Sequence, residues 1–486
     1  MNSFDADVIV VGAGPTGLML AGELRLNGVS VIVLDKLVEP IRESRALGFS
    51  ARTIEEFAQR DLLARFGEVG VIPFGHFGGV PLDYQVIDGG SYGARGIPQA
   101  RTEGILTGWA GELGAQVRRG VTVTGLDQDA SSVTVSAETA EGPVQLRARH
   151  VVGCDGARSV VRKLAGIDFP GTEPTVELRF ADVAGVALRP RFSGERVPGG
   201  MVMVIPIGPD RSRIIYFDRE QPLRTQPGPI TFEEVAEGFA RLSGEDIHAA
   251  TPLWVSSTTD VSRQATDYRR GRVFLAGDAA HIHLPIGAQG MSAGIQDAVN
   301  LGWKLALDIN GQAPEGLLDT YHSERHPVAA RILTNTLAQR ILYLGGDEIT
   351  PMRQVLTELV ESHEAVRRHL VGMVTGLDIV HDVGAGEHPL LGRRLPQADL
   401  VVDGEKTSTF ALLHPGRAVL IDFGANLGQE AAGWSDRLRV VAAEAVQDTF
   451  GADALLVRPD GYVAWAFGAA GEPLQQALER WLGPAR

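Results

Sequence analysis

The sequence predicts an α/β protein built on a parallel nucleotide-binding sheet, with an antiparallel sheet inserted into it. Three observations predict this. Residues 6–35 read strand, glycine turn, helix, strand, acid. Two later apolar strands, near residues 150–153 and 272–276, run straight into turns that pair glycine with aspartate. Between them, residues 175–255 change to apolar–polar alternation, the period of a half-buried strand.

Residues 8–11 are an apolar β-branched run, suited to a strand buried on both faces. Gly12, Gly14 and Gly17 follow as G-x-G-x-x-G. The first glycine permits a tight turn, the second lets backbone approach a pyrophosphate, and the third lets helix pack close to strand. Pro15 suits a first helical turn, where a missing N–H costs nothing. Leu18, Ala21 and Leu24 fall at helical spacing, and Asn27-Gly28 signals the helix end. Residues 29–34 form the second strand. Asp35 stands at its carboxyl end, near the ~20-residue offset of an acid that accepts from a ribose hydroxyl. The motif defines a dinucleotide site without choosing between NAD and FAD. An acid rather than an arginine argues against a 2′-phosphate there.

Arg45 opens an irregular segment, as a solvated loop residue or a contact to pyrophosphate or ribose. Residues 50–65 read as an amphipathic helix, and residues 70–96 as short strands or a hairpin. A helix over 101–113 and a meander over 117–149 follow. In residues 150–159 a strand meets Asp155-Gly156. Asp155 either caps the next helix or lies near a bound dinucleotide. Met201, Met203 and Ile205 alternate on one strand face, with Ile214 and Tyr216 expected opposite them, either as plain core or against a large flat ligand. Residues 272–281 end a buried strand at Gly277-Asp278. A Pro/Gly loop then feeds a long helix from about Met291, a second anion-type N-terminus. Residues 400–486 read as a small α/β unit, a structural lid or dimerisation surface that leaves a homodimer open.

The chain has 486 residues, enough for two to four domains, with the apolar and charged fractions of an ordinary globular protein. A net charge of −15 argues against nucleic acid or an anionic membrane as partner. Cys154 is the only cysteine, so no intrachain disulfide forms, which fits a cytoplasmic, reducing interior. The acidic N-terminus lacks a signal-peptide pattern, and no apolar run reaches the ~18 residues of a membrane span. His281 and His283 have no further ligands at zinc spacing, so no metal is expected.

Taken together, GAGPTG with Asp35, CDGARSVVR at 154–162 and RVFLAGDAAHIHLPIGAQGMSAGIQDAVNLGWKL at 272–305 resemble the single-component FAD-dependent aromatic hydroxylases of the para-hydroxybenzoate hydroxylase type. Over its whole length the chain is similar to the polyketide hydroxylases of angucycline and anthracycline pathways. The resemblance implies a split Rossmann-like FAD-binding domain over 1–172 and 266–388. It implies an antiparallel-sheet substrate domain over 173–265, with 70–97 contributing, and a thioredoxin-like domain without CxxC over 389–486. Gly12, Gly14 and Gly17, with Pro15 and Thr16 between them, would hold the pyrophosphate, and Asp35 with Lys36 the adenosine ribose. Arg45 and Gln99 would contact the phosphate and ribityl region, and Leu126 the adenine. Asp155 and Gly156 match a motif shared between FAD and NAD(P)H, and Asp278 would meet the ribityl–phosphate end. Pro285, Gly287, Gln289, Gly290 and Met291 would face the isoalloxazine. Met201, Met203 and Tyr216 would contact substrate.

The implied reaction consumes NAD(P)H and O2. Reduced FAD adds dioxygen at C4a, and the hydroperoxide transfers oxygen to an electron-rich ring of a polycyclic aromatic polyketide. No residue matches the substrate-deprotonating tyrosine of the benzoate enzyme, so the activating group is not identified. A Baeyer–Villiger or epoxidising reaction on a related polyketide is the alternative within the group. A non-catalytic flavin- or nucleotide-binding sensor is the alternative of another class.

Overall fold

Apolar β-branched runs build four of the five parallel strands of the main sheet, and the fifth, Gln116–Arg119, is a polar strand at its edge. The computed structural model describes residues 4–41, 44, 46–87, 93–224, 228–287, 289–446, 450–468 and 471–486. Ala6–Val11 pairs in parallel with Val31–Asp35 on one side and Gly142–Gly153 on the other. Gln116–Arg119 and Val273–Leu275 extend the two edges, also in parallel. The winding therefore reverses between Ala6–Val11 and Gly142–Gly153, and open α/β sheets bind ligands at such a switch point, beyond the strands' carboxyl ends. Val8, Ile9, Val10, Val33 and Val152 are fully buried, as a sheet covered on both faces requires.

Helix Pro15–Leu26 packs against Gln99–Glu112 and the long helix Gln289–Ile309. The first contact needs a glycine, because a Cβ on Gly22 would stand 1.9 Å from the Trp109 ring. Gln289–Ile309 starts two residues before the position that periodicity suggests. Thr122–Gln128 and Val133–Thr139 continue Gly142–Gly153 as an antiparallel meander.

Five antiparallel strands form a second sheet, in the order Arg191–Val197, Gly200–Gly208, Arg211–Asp218, Glu177–Ala184, Thr251–Thr259. One face is sealed by Phe232–Ser243, whose Val235, Ala236 and Phe239 pack on Val202, Val204, Ile214 and Tyr216. That helix is specified locally by a capping box between Thr231 and Glu234. The other face carries Leu178, Phe180, Met201, Met203 and Phe217.

The register corrects one expectation. Met201 pairs with Phe217 and Met203 with Ile215, so Ile214 and Tyr216 lie on the face opposite the methionines. A bulge between Pro206 and Gly208 is the cause. Continuing the Gly208–Arg211 pairing without it would set Met203 against Tyr216, and a one-residue slip exchanges the two faces of a strand. Tyr216 instead lies fully buried under Phe232–Ser243 and donates to the Glu234 carbonyl at 3.2 Å.

The C-terminal strands run in the order Leu438–Ala442, Ala418–Asp422, Ala454–Val457, Val463–Ala466, with only the first pair parallel, and Leu474–Leu482 packs on them. The turn between the last two strands is plugged into the nucleotide-binding part. Arg458 bonds both oxygens of Glu324 at 2.6 and 2.8 Å, and Lys304 donates to Glu324 at 3.0 Å. Burial pushes the Lys304 pKa down to about 8. Among the described residues, no helix is long and apolar enough to cross a membrane, and no group of His, Cys, Asp and Glu is placed to hold a metal.

Candidate functional site

Four parallel strands end at one level. The row Leu34–Val11–Gly153–Leu275 crosses the sheet in register. Just beyond it stand Asp35, Gly12, Cys154 and the turn Gly277–Ala279. The three motifs therefore share one edge, and their backbones touch. Gly12 has φ 109°, and a Cβ there would stand 2.3 Å from the Cys154 carbonyl oxygen. Gly277 has φ 61°, and both its Cβ and that of Gly294 would strike the Thr16 hydroxyl, at 2.7 and 2.3 Å. A Cβ on Gly14 or Gly156 would meet nothing within 4 Å, so these two glycines face open space. That is the contour of a phosphate cradle at a helix N-terminus.

Asp35 is half-buried and accepts from the Ala13 N–H at 2.7 Å and the Leu37 N–H at 2.8 Å, which ties the acid to the glycine turn. Lys36 is exposed beside it. Gln99 opens its helix and donates to Glu103 at 2.8 Å. Glu103 is only 6% exposed, and burial raises its pKa, with Asp35 adding to the rise. Sequence reasoning missed Glu103; its signal was the one-turn spacing from Gln99. Leu126 sits half-buried on Thr122–Gln128 against the main core. Arg45 lies outside the described residues. The Asp155 carboxylate is committed to its own turn, accepting from Ser159 Oγ at 2.5 Å and the Val160 N–H at 2.6 Å. It accepts there from the first two N–H groups of the helix Val160–Leu164, whose N-cap is Ser159, while its backbone borders Gly12. Asp278 is exposed on a turn whose neighbours Gly277 and Ala279 are buried.

The loop before the long helix faces two ways. Pro285 and Gly287 are exposed, whereas Leu284 and Ile286 are buried against Leu178, Phe180 and Met201 of the antiparallel sheet. His283 Nδ1 donates to the Leu284 carbonyl at 2.8 Å, which leaves Nε2 a bare acceptor, and burial pushes its pKa down to about 4. Neither His283 Nε2 nor Gln289 Nε2 has a partner among the described residues. Gly290 lies against the His283 ring, and Met291 packs half-buried on the core.

Behind this loop, Asp297 is fully buried and gathers three donors. The Gly277 N–H lies at 3.0 Å, His281 Nε2 at 2.7 Å and Arg325 Nε at 2.8 Å. Burial works to raise its carboxyl pKa, but Arg325 and His281 outweigh burial and hold it low. On the antiparallel side, the Tyr343 hydroxyl donates to the Ser193 carbonyl and lies 2.9 Å from His76 Nε2. Burial, then Arg353, pushes the His76 pKa down to about 4, so the ring is neutral near pH 7. A cavity of about 760 Å³ runs between the helices Gln289–Ile309 and Asp319–Leu344, touching Ser50, Gln289, Asn335, His381 and Trp481. It lies behind the glycine turns rather than over them.

Fold and glycine turns define a nucleotide-binding α/β protein in which one loop packs on the apolar face of a second sheet. A family model described as an FAD binding domain matches residues 5–336, and one described as the C-terminal region of aromatic-ring hydroxylases matches residues 388–485. The chain belongs to the FAD-dependent aromatic-ring hydroxylases, a family of monooxygenases. It is 44% identical to the 12-dehydrotetracycline 5-monooxygenase/anhydrotetracycline 6-monooxygenase of Streptomyces rimosus, over 98% of this chain and 99% of that one. The crystal structure of AlpK superposes with a TM-score of 0.93 at 74% identity, over 100% of both chains. That of CabE, an aromatic hydroxylase from angucycline biosynthesis, gives 0.95 at 53% identity, over 99% of this chain and 100% of that one.

Proposed function

We propose that this chain hydroxylates a polycyclic aromatic polyketide, with FAD in the cleft, NAD(P)H as electron donor and O2 as oxygen source. The observation that carries the reading is the two-sided loop. Pro285 and Gly287 are exposed, on the side proposed here for the cofactor, while Leu284 and Ile286 back onto the apolar sheet face. A ring seated on that face lies one loop's thickness from the cofactor. The CabE and tetracycline-enzyme likenesses support the same substrate class.

The residues present fit a flavin. Its pyrimidine edge alternates carbonyl acceptors with an N–H donor, and the buried His283 Nε2 and Gln289 Nε2 are one acceptor and one donor without a partner among the described residues. Gly12, Gly14, Pro15, Thr16 and Gly17 would hold the pyrophosphate, Asp35, Lys36 and Gln99 the ribose side, and Asp278 the ribityl–phosphate end. Gly290 and Met291 open a 21-residue helix whose free N–H groups and dipole favour negative charge on the bound ring. Bound FAD supplies the redox chemistry, accepting hydride and activating dioxygen. The chain orients both partners and excludes water. Neutral His76 and the Tyr343 hydroxyl offer a polar anchor for a substrate oxygen at the edge of the methionine-lined face. The domain division proposed is 1–172 with 266–388, 173–265 with 70–97, and 389–486. The C-terminal strand order and directions support the thioredoxin-like reading of the last.

The test uses purified protein. A yellow FAD complex is expected, with NAD(P)H oxidation accelerated by a tetracyclic phenol and one oxygen from labelled dioxygen on a ring carbon. A folded protein that takes up no FAD sinks the reading. Oxygen inserted into a ring C–C bond moves it to Baeyer–Villiger chemistry.

A further inference from the structure

We infer that Asn335 and Gln339 are positioning residues that decide which atom of the Gln289 carboxamide faces the flavin. The inference rests on the FAD reading above. It begins at a backbone group whose polarity is fixed. The Gly78 N–H, in the turn between Phe74–Phe77 and Val80–Asp83, donates to Gln339 Oε1 at 3.1 Å. A backbone N–H can only donate, so the Gln339 oxygen must point there and its Nε2 must point away. That Nε2 donates to Asn335 Oδ1 at 2.6 Å, and Asn335 Nδ2 donates to Gln289 Oε1 at 2.8 Å. Gln289 Nε2, a donor, is left over, with no partner among the described residues.

The three amides are 0%, 2% and 4% exposed in that order. Turning any one of them over would set two acceptors or two donors face to face in a buried site, which costs more than a hydrogen bond is worth. Asn335 and Gln339 are one turn apart on Asp319–Leu344 and so lie on one helix face. The turn at the far end is built for glycine and packs closely on the same helix: Gly78 has φ 57°, and a Cβ there would stand 2.5 Å from Leu342. The polarity set at this hairpin is thus delivered at the N-terminus of the helix expected to face the isoalloxazine. A buried unpaired donor is costly unless a ligand takes it. A carbonyl of the flavin pyrimidine ring is the acceptor of matching chemistry. The same hairpin carries His76, so the relay joins the substrate compartment to the cofactor.

The experiment measures FAD dissociation by flavin fluorescence, with thermal melting of the apoprotein as the check on folding. Gln289→Leu is expected to weaken FAD about five- to tenfold, the worth of one hydrogen bond. Asn335→Leu, which frees the Gln289 carboxamide, is expected to match it. Gln339→Met, nearly isosteric and the second route should Asn335→Leu not fold, is expected to weaken FAD about threefold. Each combined with Gln289→Leu is expected to lose nothing further, because both act through Gln289. Folded single variants that bind FAD as tightly as wild type overturn the inference. So do losses that add in full to that of Gln289→Leu. A wild-type protein that takes up no FAD fails the FAD reading itself, which is a different result.

Discussion

The two sheets of this protein hold their ligand-facing groups by different means. At the parallel sheet the site is made of backbone. Gly12, Gly17 and Gly277 each sit where a single added carbon would strike a neighbouring main chain or the Thr16 hydroxyl. At the antiparallel sheet the face proposed for substrate is made of side chains, Phe180, Met203 and Trp254 among them, on strands whose other face is sealed by a helix. Backbone sites tolerate no change in shape. Side-chain sites exchange residues at the cost of local packing. A protein family built this way keeps one cofactor while its substrates diverge.

The sharpest way to break this contrast lies within the first glycine turn. Gly17→Ala puts a Cβ 2.0 Å from the Gly12 carbonyl oxygen, and neither atom can move without its main chain. A loss of more than about 4 kcal/mol of stability is expected, read by thermal or urea denaturation. Gly14→Ala meets nothing within 4 Å, and Gly14 has an ordinary φ of −80°. It is expected to melt with wild type and to bind FAD about tenfold more weakly, because the new methyl occupies the space kept for phosphate. If both variants melt alike, the turn is not packed as described.

The same contrast decides what could be read from the sequence. The glycine turns and Asp35 were legible because a backbone constraint leaves a fixed residue type at a fixed spacing. The antiparallel sheet was legible as alternation, yet its facing was not, since one bulge at Pro206–Gly208 turned Tyr216 away from the methionines. Asp155 was legible as an acid at a turn, but a helix N-terminus five residues on consumed its carboxylate. Asn335 and Gln339 gave no signal at all. Two amides one turn apart look like a solvated helix face, and only burial against Gly78 and Gln289 sets them apart.

Behind the cofactor half, Glu56 gives a test of medium size. It lies on Ala51–Ala58 at 3.6 Å from Arg52, with Oε2 unpartnered among the described residues. Burial pushes its pKa up to about 7 from 4.5, against the pull of Arg52, Arg325 and Arg60. The folded protein therefore keeps this proton over a range where the unfolded chain has released it. Between pH 4.5 and 7 the group costs progressively more stability as pH rises, up to about 3 kcal/mol, and the cost is constant above. Glu56→Gln is expected to remove that slope, so that its urea stability gains on wild type from pH 5 to pH 8. His76 and His283, both pushed down to about 4, act oppositely, withdrawing stability as pH falls below 6.5. They act equally in both proteins and cancel in the difference. Parallel pH profiles would mean that Glu56 is solvated in the folded state.

The smallest effect bears on the two faces of the antiparallel sheet. Tyr216→Phe removes one hydrogen bond, to a Glu234 carbonyl that also lies within a helix. The expected loss is about 1 kcal/mol or less, seen as a small drop in Tm. The KM for a polycyclic phenol should not move, because the ring is fully buried under Phe232–Ser243. Met203→Ala reverses this pattern. Met203 is only partly buried and packs beside Leu284 and Ile286, so its loss should raise KM several-fold with a modest change in Tm. The register decides the outcome, since pairing Met203 with Tyr216 would put both on the substrate face and make both substitutions raise KM. Two single-residue variants thus report which way a nine-residue strand faces, and with it which wall of the molecule the substrate touches.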